Sequence, residues 1–276
     1  MTNYVGELAQ HDSSHHVWAP LSGTEWYLIT TIDDYSRRIL YGDLWERETS
    51  WAHIVAAKGV VMEFGCPLKY YPDNHSIFRY VEKRDSLHRK YDKTEEEAFV
   101  QWKEVLGDLK IDVTYALSSQ AKGKVERPYQ WLQDHIVRTC VREGITKIEQ
   151  AREVLYEELF QYNYKRVHST TVEIPVARYE KALDEKRTLF RKPTIKASYE
   201  TWDDIFCYRY QRTLDAYRRV SWNNLEFAVH ADPKTQVELR VSFDLKTKLA
   251  KVRIWHKNKL VGEYTVKAEN IKKVQF

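Results

Sequence analysis

The hydrophobic and polar positions divide the chain into a mixed front and an all-β end. "VGELAQHDSS" alternates loosely and turns polar, which predicts a strand delivering Asp12 at its C-terminal end. "EWYLITTIDDYS" is a β-prone run closing on Asp33 and Asp34, and after a short polar turn "RRILYGDLW" reads as its hairpin partner. "SWAHIVAAKGVVMEFG" consists of helix formers, with Ser50 placed as N-cap and Gly65 as the C-terminal stop. "PLKYYPD" is then a short strand ending at Asp73, following a helix as a β-α-β crossover requires.

Residues 82–106 are highly charged and then amphipathic, which predicts a helix, and "KIDVTYALS" is a further strand. In "SQAKGKVERPYQWLQDHIVRTCV" Val125, Tyr129, Leu132, Ile136 and Cys140 recur at helical spacing, with Glu126 beside that face. Proline deep inside a helix costs about 3 kcal/mol, so Pro128 sets the helix start close to Lys124. Residues 148–184 read as two helices joined by "QYNYKRVHSTTVEIP". From about residue 205, short alternating strands are broken by Asn-Asn, Asp-Pro, Asp-Leu-Lys and Lys-Asn turns, the texture of a small barrel or sandwich. The basic, Pro-containing stretch "EKRTLFRKPTIKASYE" reads as a linker before it.

Composition changes this picture in two places. With 276 residues, 43% of them hydrophobic, the chain has enough apolar surface for a real core, and disorder is excluded. Cys66, Cys140 and Cys207 lie far apart without a CxxC pair, so neither a disulfide framework nor a thiolate zinc site is expected. The first residues show no secretory pattern and no run approaches a membrane span, so a cytoplasmic setting without membrane is expected. Charge is asymmetric: residues 181–276 hold 21 Lys and Arg against 12 Asp and Glu, whereas residues 1–180 hold 23 against 28. A basic end of this kind suits a polyanion, though a solvated face gives the same count.

The front therefore predicts a mixed sheet whose first three strands run antiparallel and whose later strands join through helices. Asp12 and Asp73 then end adjacent strands, and Glu126 on the following helix can face them. Three carboxylates so placed repel unless a cation lies between them. Oxygen-only ligation suits Mg²⁺ or Mn²⁺.

"GELAQHDSSHHVW", "YYPDNHSIF" and "SSQAKGKVERPYQWLQD" resemble, in order, the three catalytic blocks of the DDE transposase and retroviral integrase catalytic core superfamily, closest to ISNCY-type bacterial insertion-sequence transposases. "IDDYSRRIL" resembles its second and third strands, and "YNYKRVHSTTVEIP" the segment after its core. The resemblance implies an α/β, RNase H-like mixed five-stranded sheet with flanking helices in residues 1–145. A helical connector and linker in 146–200 and a small C-terminal, DNA-binding β-barrel in 201–276 follow. It implies Asp12, Asp73 and Glu126 as catalytic residues and ligands of Mg²⁺ or Mn²⁺, two ions per active site with substrate bound. The reaction implied is cleavage at element ends and transfer of the freed 3′-hydroxyl into target DNA, by a homo-oligomer on DNA in the bacterial cytoplasm, associated with the nucleoid. Two departures stand out. The 52 residues between Asp73 and Glu126 leave room for a helical insertion, and the 11 residues before Asp12 leave none for the usual N-terminal DNA-binding module. A core-plus-tail fragment or a shortened gene product is the expectation.

Other residues carry two readings each. His75, Lys122, Lys124 and Arg127 are candidates for DNA phosphate contact, as are Arg166 and His168, which would otherwise simply close the connector. His15 and His16 lack any zinc-hydrolase spacing and read as strand-edge residues. Asp33 and Asp34 read as hairpin-turn residues before metal contacts. The competing functions are a catalytically silent DNA-binding or assembly protein derived from a transposase, which intact acidic residues argue against, and a ribonuclease of the same fold.

Overall fold

The first three strands, paired antiparallel in sequence, are β1 (Ala9–His16), β2 (Trp26–Asp33) and β3 (Ile39–Trp45), with β-branched and aromatic residues concentrated in β2 and β3. In the computed structural model of the chain, residues 2–72, 93–114 and 123–271 are described, 93–100 and 123–128 as backbone alone. β1 continues four residues past Asp12, because His15 and His16 keep pairing with Tyr27 and Trp26. Helix α1 (Ser50–Phe64) starts one residue earlier than its sequence signal: Thr49 is the N-cap, its hydroxyl accepting from the Ala52 amide at 3.2 Å. α1 returns the chain to β4 (Lys69–Pro72), parallel to β1, and α2 (Lys93–Asp108) leads to the short β5 (Asp112–Val113), parallel to β4. The strand order is β3-β2-β1-β4-β5, a mixed five-stranded sheet as expected.

Successive strand residues face opposite sides of the sheet, and each side is covered. Ile29 and Tyr70 pack with α1 and with Trp102 and Leu106 of α2. Leu28, Ile32 and Leu44 pack with Tyr129, Leu132 and Ile136 of α3 (Gly123–Arg142) and with Ala151 and Leu155 of α4 (Ile148–Tyr164). The helix after residue 146 thus covers the sheet as well as leading onward to α5 (Pro175–Asp184).

The β end is an antiparallel sheet ordered β11 (Lys259–Lys267), β10 (Leu249–His256), β9 (Gln236–Asp244), β6 (Tyr208–Thr213), with a separate hairpin of β7 (Arg219–Trp222) and β8 (Leu225–Ala228). Among the described residues the ladder does not close, so the expected barrel is an open four-stranded sheet with a hairpin beside it. The hairpin meets the β11 edge through the His230 amide on the Val261 carbonyl at 3.1 Å and the Tyr264 hydroxyl on the Ala228 carbonyl. Its turn is Asn223-Asn224, both at positive φ, as a two-residue turn between twisted strands requires.

Much of the basic charge at this end is internal. Arg240 and Arg253 are buried and pair directly across β9 and β10, an arrangement that repels unless acids intervene. Fully buried Asp204 accepts from Arg253 Nε at 2.8 Å and Trp255 Nε1 at 3.1 Å, while Glu200 and Glu263 take the other Arg253 nitrogens. Arg240 lies over the Tyr199 ring and bonds Glu238.

The β end is packed onto the core. One hydrophobic cluster runs from Tyr70 and Trp102 through Trp51 to Tyr208, Val241 and Ile254. Gln101 on α2 donates to the Arg209 carbonyl at 2.7 Å and accepts from its amide at 2.6 Å, and Arg209 pairs with Asp108. The basic stretch read as a linker is bridged to the core at Val5–Thr188 and Cys66–Arg191.

Candidate functional site

The site is built around Asp12. On β1 it pairs with Thr30 of β2, and the preceding residue, His11, pairs with Pro72, the last residue of β4 and the one before Asp73 in sequence. The parallel β1–β4 ladder therefore ends one residue before Asp12. Asp73 itself lies outside the described residues, as do His75 and Lys122.

Helix α3 is fastened to the same place. The Tyr129 hydroxyl shares a 2.7 Å hydrogen bond with Thr30 Oγ1, and Gln133 reaches the His16 ring at 2.9 Å. Burial, then the nearby Asp12 charge, push the Tyr129 phenol well above its ordinary pKa, so it stays protonated. Positions 129, 133, 136 and 140 form one stripe at spacings of four, three and four that faces β1 and β2. The side chains of Glu126, Lys124 and Arg127 are outside the description. Among the described residues no group of three His, Cys, Asp or Glu could hold a metal.

The remaining candidates take structural places. Asp33 accepts from the Gly6 amide at 2.8 Å and from the Ser36 amide and hydroxyl, and Asp34 pairs with Arg37 at 3.1 Å, so both build the β2–β3 turn at the far end of β1. His15 stacks on Tyr27 and pairs with Glu25, and His16 lies against Trp18 and Gln133, its pKa lowered by burial. His168 is buried edge-on to Tyr162 with Nδ1 accepting from the Thr170 amide at 3.2 Å, in the turn between α4 and α5. Arg166 stacks on Trp131, binding that turn to α3.

Sequence reasoning missed a second layer behind Asp12. His11 Nε2 lies 2.9 Å from His53 Nδ1, and His53 Nε2 lies 3.3 Å from Glu48 Oε1. No spacing rule links positions 11, 48 and 53. The one signal was His53 inside an otherwise apolar helix.

No protein-family model matches the chain. It is 30% identical over 158 residues to a protein of Sinorhizobium fredii named as a transposase, y4bF, covering 57% of this chain and 33% of that one. It is 28% identical over 171 residues to the transposase for insertion sequence IS1202 of Streptococcus pneumoniae, covering 62% and 35%. The chain thus spans about a third of the length of the curated relatives it matches. Among solved structures, the HTLV-2 integrase catalytic core domain in complex with magnesium is similar with a TM-score of 0.48 and 15% identity, covering 65% of this chain and 99% of that one. The chain is thus similar over part of its length to two bacterial transposases, one of them of an insertion sequence.

Proposed function

We propose that this chain is the catalytic part of a DNA transposase, a DDE-type polynucleotidyl transferase that cleaves element ends and joins the freed 3′-hydroxyl to target DNA. The observation that supports the reading best is the joint placement of β1, β4 and α3. Asp12 lies one residue beyond the β1–β4 pairing, and α3 is pinned to Thr30 opposite it.

Asp12, Asp73 and Glu126 are the proposed ligands of two Mg²⁺ or Mn²⁺ ions. An all-carboxylate donor set fits hard cations, and the neighbouring imidazoles of His11, His15 and His16 are engaged elsewhere in the fold. Such ions, when bound, activate an attacking oxygen and stabilise a leaving one in an in-line displacement. The chain's own part is to hold the three carboxylates in register through the β1–β4 ladder and the Thr30–Tyr129 bond. Lys122, Lys124, Arg127 and His75 are proposed to meet the DNA backbone beside the acids, and the exposed basic turns of residues 201–276 to meet duplex further away. Residues 1–145 are the proposed core and 146–200 its connector, working as a homo-oligomer on DNA.

The test is nicking and joining of DNA in Mg²⁺ or Mn²⁺ by the wild type, Asp12→Asn and Glu126→Gln. Both variants should fold and lose activity. Activity persisting in chelator, or in either variant, sinks the assignment.

A further inference from the structure

The turn between β6 and β7 carries Tyr217, which is 82% exposed, more than any other large hydrophobic side chain among the described residues. Leu214 before it and Val220 after it are buried, and every residue from Asp215 to Arg219 is exposed, so the turn is anchored at both ends and stands out between them. Its backbone is fixed from inside. Asp215 Oδ1 accepts from the Tyr217 amide at 2.8 Å and from the Arg219 amide at 2.7 Å, and the Asp215 amide donates to the Arg219 carbonyl at 2.9 Å. The Arg218 carbonyl accepts from the Val229 amide at 2.9 Å, which ties the tip to the end of the β7–β8 hairpin. A ring presented on a backbone already ordered gives up little further freedom when a partner covers it. The charge around it is one-sided: Arg218 and Arg219 follow it, Arg212 stands near the end of β6, and Lys234 joins the same turn through its amide on the Leu214 carbonyl at 3.1 Å, all four exposed. Of the acids in these turns, Asp215 is engaged by backbone amides and Glu226 pairs with Arg219 at 3.3 Å, leaving Asp232. The Arg219–Glu226 pair is exposed on both sides and therefore weak, so a phosphate can replace the carboxylate. Guanidinium groups beside an open aromatic face suit a nucleotide, the one taking phosphate and the other the base. Closed duplex offers phosphates, but its bases are already stacked on one another.

We infer that Tyr217 is a stacking platform for an unpaired base of DNA, with Arg218 and Arg219 taking the phosphates beside that base. The inference rests on the function proposed above, in which strands are cut and joined and bases near the break lose their partners. To basic turns that meet phosphate alone it adds one side chain that distinguishes an opened strand from closed duplex.

The experiment measures binding of the full chain to three duplexes of one sequence: fully paired, bulged by a single unpaired fluorescent adenine analogue, and bulged by an abasic residue at the same place. Stacking quenches the analogue, so its emission reports the contact directly. The wild type should prefer the analogue bulge to the paired duplex and quench it. Tyr217→Ala, which should melt at the wild-type temperature because the side chain is exposed, should lower that preference about tenfold, within the range that stacking supplies for one base, and should quench less. Tyr217→Phe keeps the ring and should retain both properties. On the abasic bulge the gap between wild type and Tyr217→Ala should close, since no base remains to stack. A wild type that binds DNA without preferring the analogue bulge, a preference that Tyr217→Ala leaves within twofold, or an equal loss on the abasic bulge overturns the inference and leaves the proposed function standing. A wild type that binds none of the three duplexes removes the proposed function, and this inference with it.

Discussion

The Tyr129 hydroxyl lies 2.7 Å from that of Thr30, the residue paired across the strand from Asp12. This one bond joins the helix that carries Glu126 to the strand pair that carries Asp12, in a buried setting where neither hydroxyl has water to replace the other. Tyr129→Phe leaves the Thr30 hydroxyl unsatisfied and should cost about 1–3 kcal/mol in a denaturant titration. Thr30→Val with Tyr129→Phe removes both partners and should recover part of that loss.

Asp33 supplies the pH dependence. It is fully buried, and burial pushes its carboxyl above the ordinary range despite the lowering bonds from Ser36 and Gly6. A folded-state pKa raised above the unfolded one gives stability that is present below about pH 4 and is lost as pH rises through the raised value. Asp33→Asn cannot titrate. The melting temperature of the wild type relative to this variant should therefore be most favourable near pH 4 and decline toward pH 7, and a difference that is flat or grows with pH contradicts the placement.

Charge at the β end separates into two classes with different outcomes. Arg253→Met removes the cation paired with fully buried Asp204 and should destabilise by about 3–5 kcal/mol, as loss of one partner of a buried ion pair does. Lys257 and Lys259 are exposed at the β10–β11 turn. Replacing both with Gln should leave stability unchanged while lowering the slope of log K against log salt for duplex binding by roughly 0.9 for each phosphate no longer neutralised. An unchanged slope would show that this turn does not meet DNA.

Gly65 ends α1 at φ +102°, and a Cβ there would lie 2.7 Å from the Arg191 carbonyl oxygen. Both the left-handed backbone and the closeness of the strap require glycine. Gly65→Ala should lower stability by about 1–3 kcal/mol, and hydrogen exchange at the Cys66 and Arg191 amides, which bond each other's carbonyls, should accelerate.

The elements that alternate cleanly or repeat at helical spacing were legible in the sequence. β1 to β4, α1 and the buried stripe Tyr129, Leu132, Ile136 and Cys140 all follow from pattern. Two kinds of feature were not. The His11–His53–Glu48 chain joins positions 42 and 5 residues apart, through contacts that exist only after the crossover is made. Arg240 and Arg253 are covered because the segment holding Tyr199, Glu200 and Asp204 folds over that face. A count of charge along the chain cannot separate such internally paired cations from exposed ones.

The hydrophobic cluster that runs unbroken from Trp102 through Trp51 to Val241 has a consequence for register along a substrate. A module on a loose tether samples many separations from a catalytic centre and would leave a blurred pattern of contacts. Here the β10–β11 turn stands at a set bearing from Asp12, while duplex DNA bends little over such short lengths. If both touch one duplex, the protein works as a caliper with its jaw locked, and the interval from anchoring contact to broken bond is a dimension of the fold.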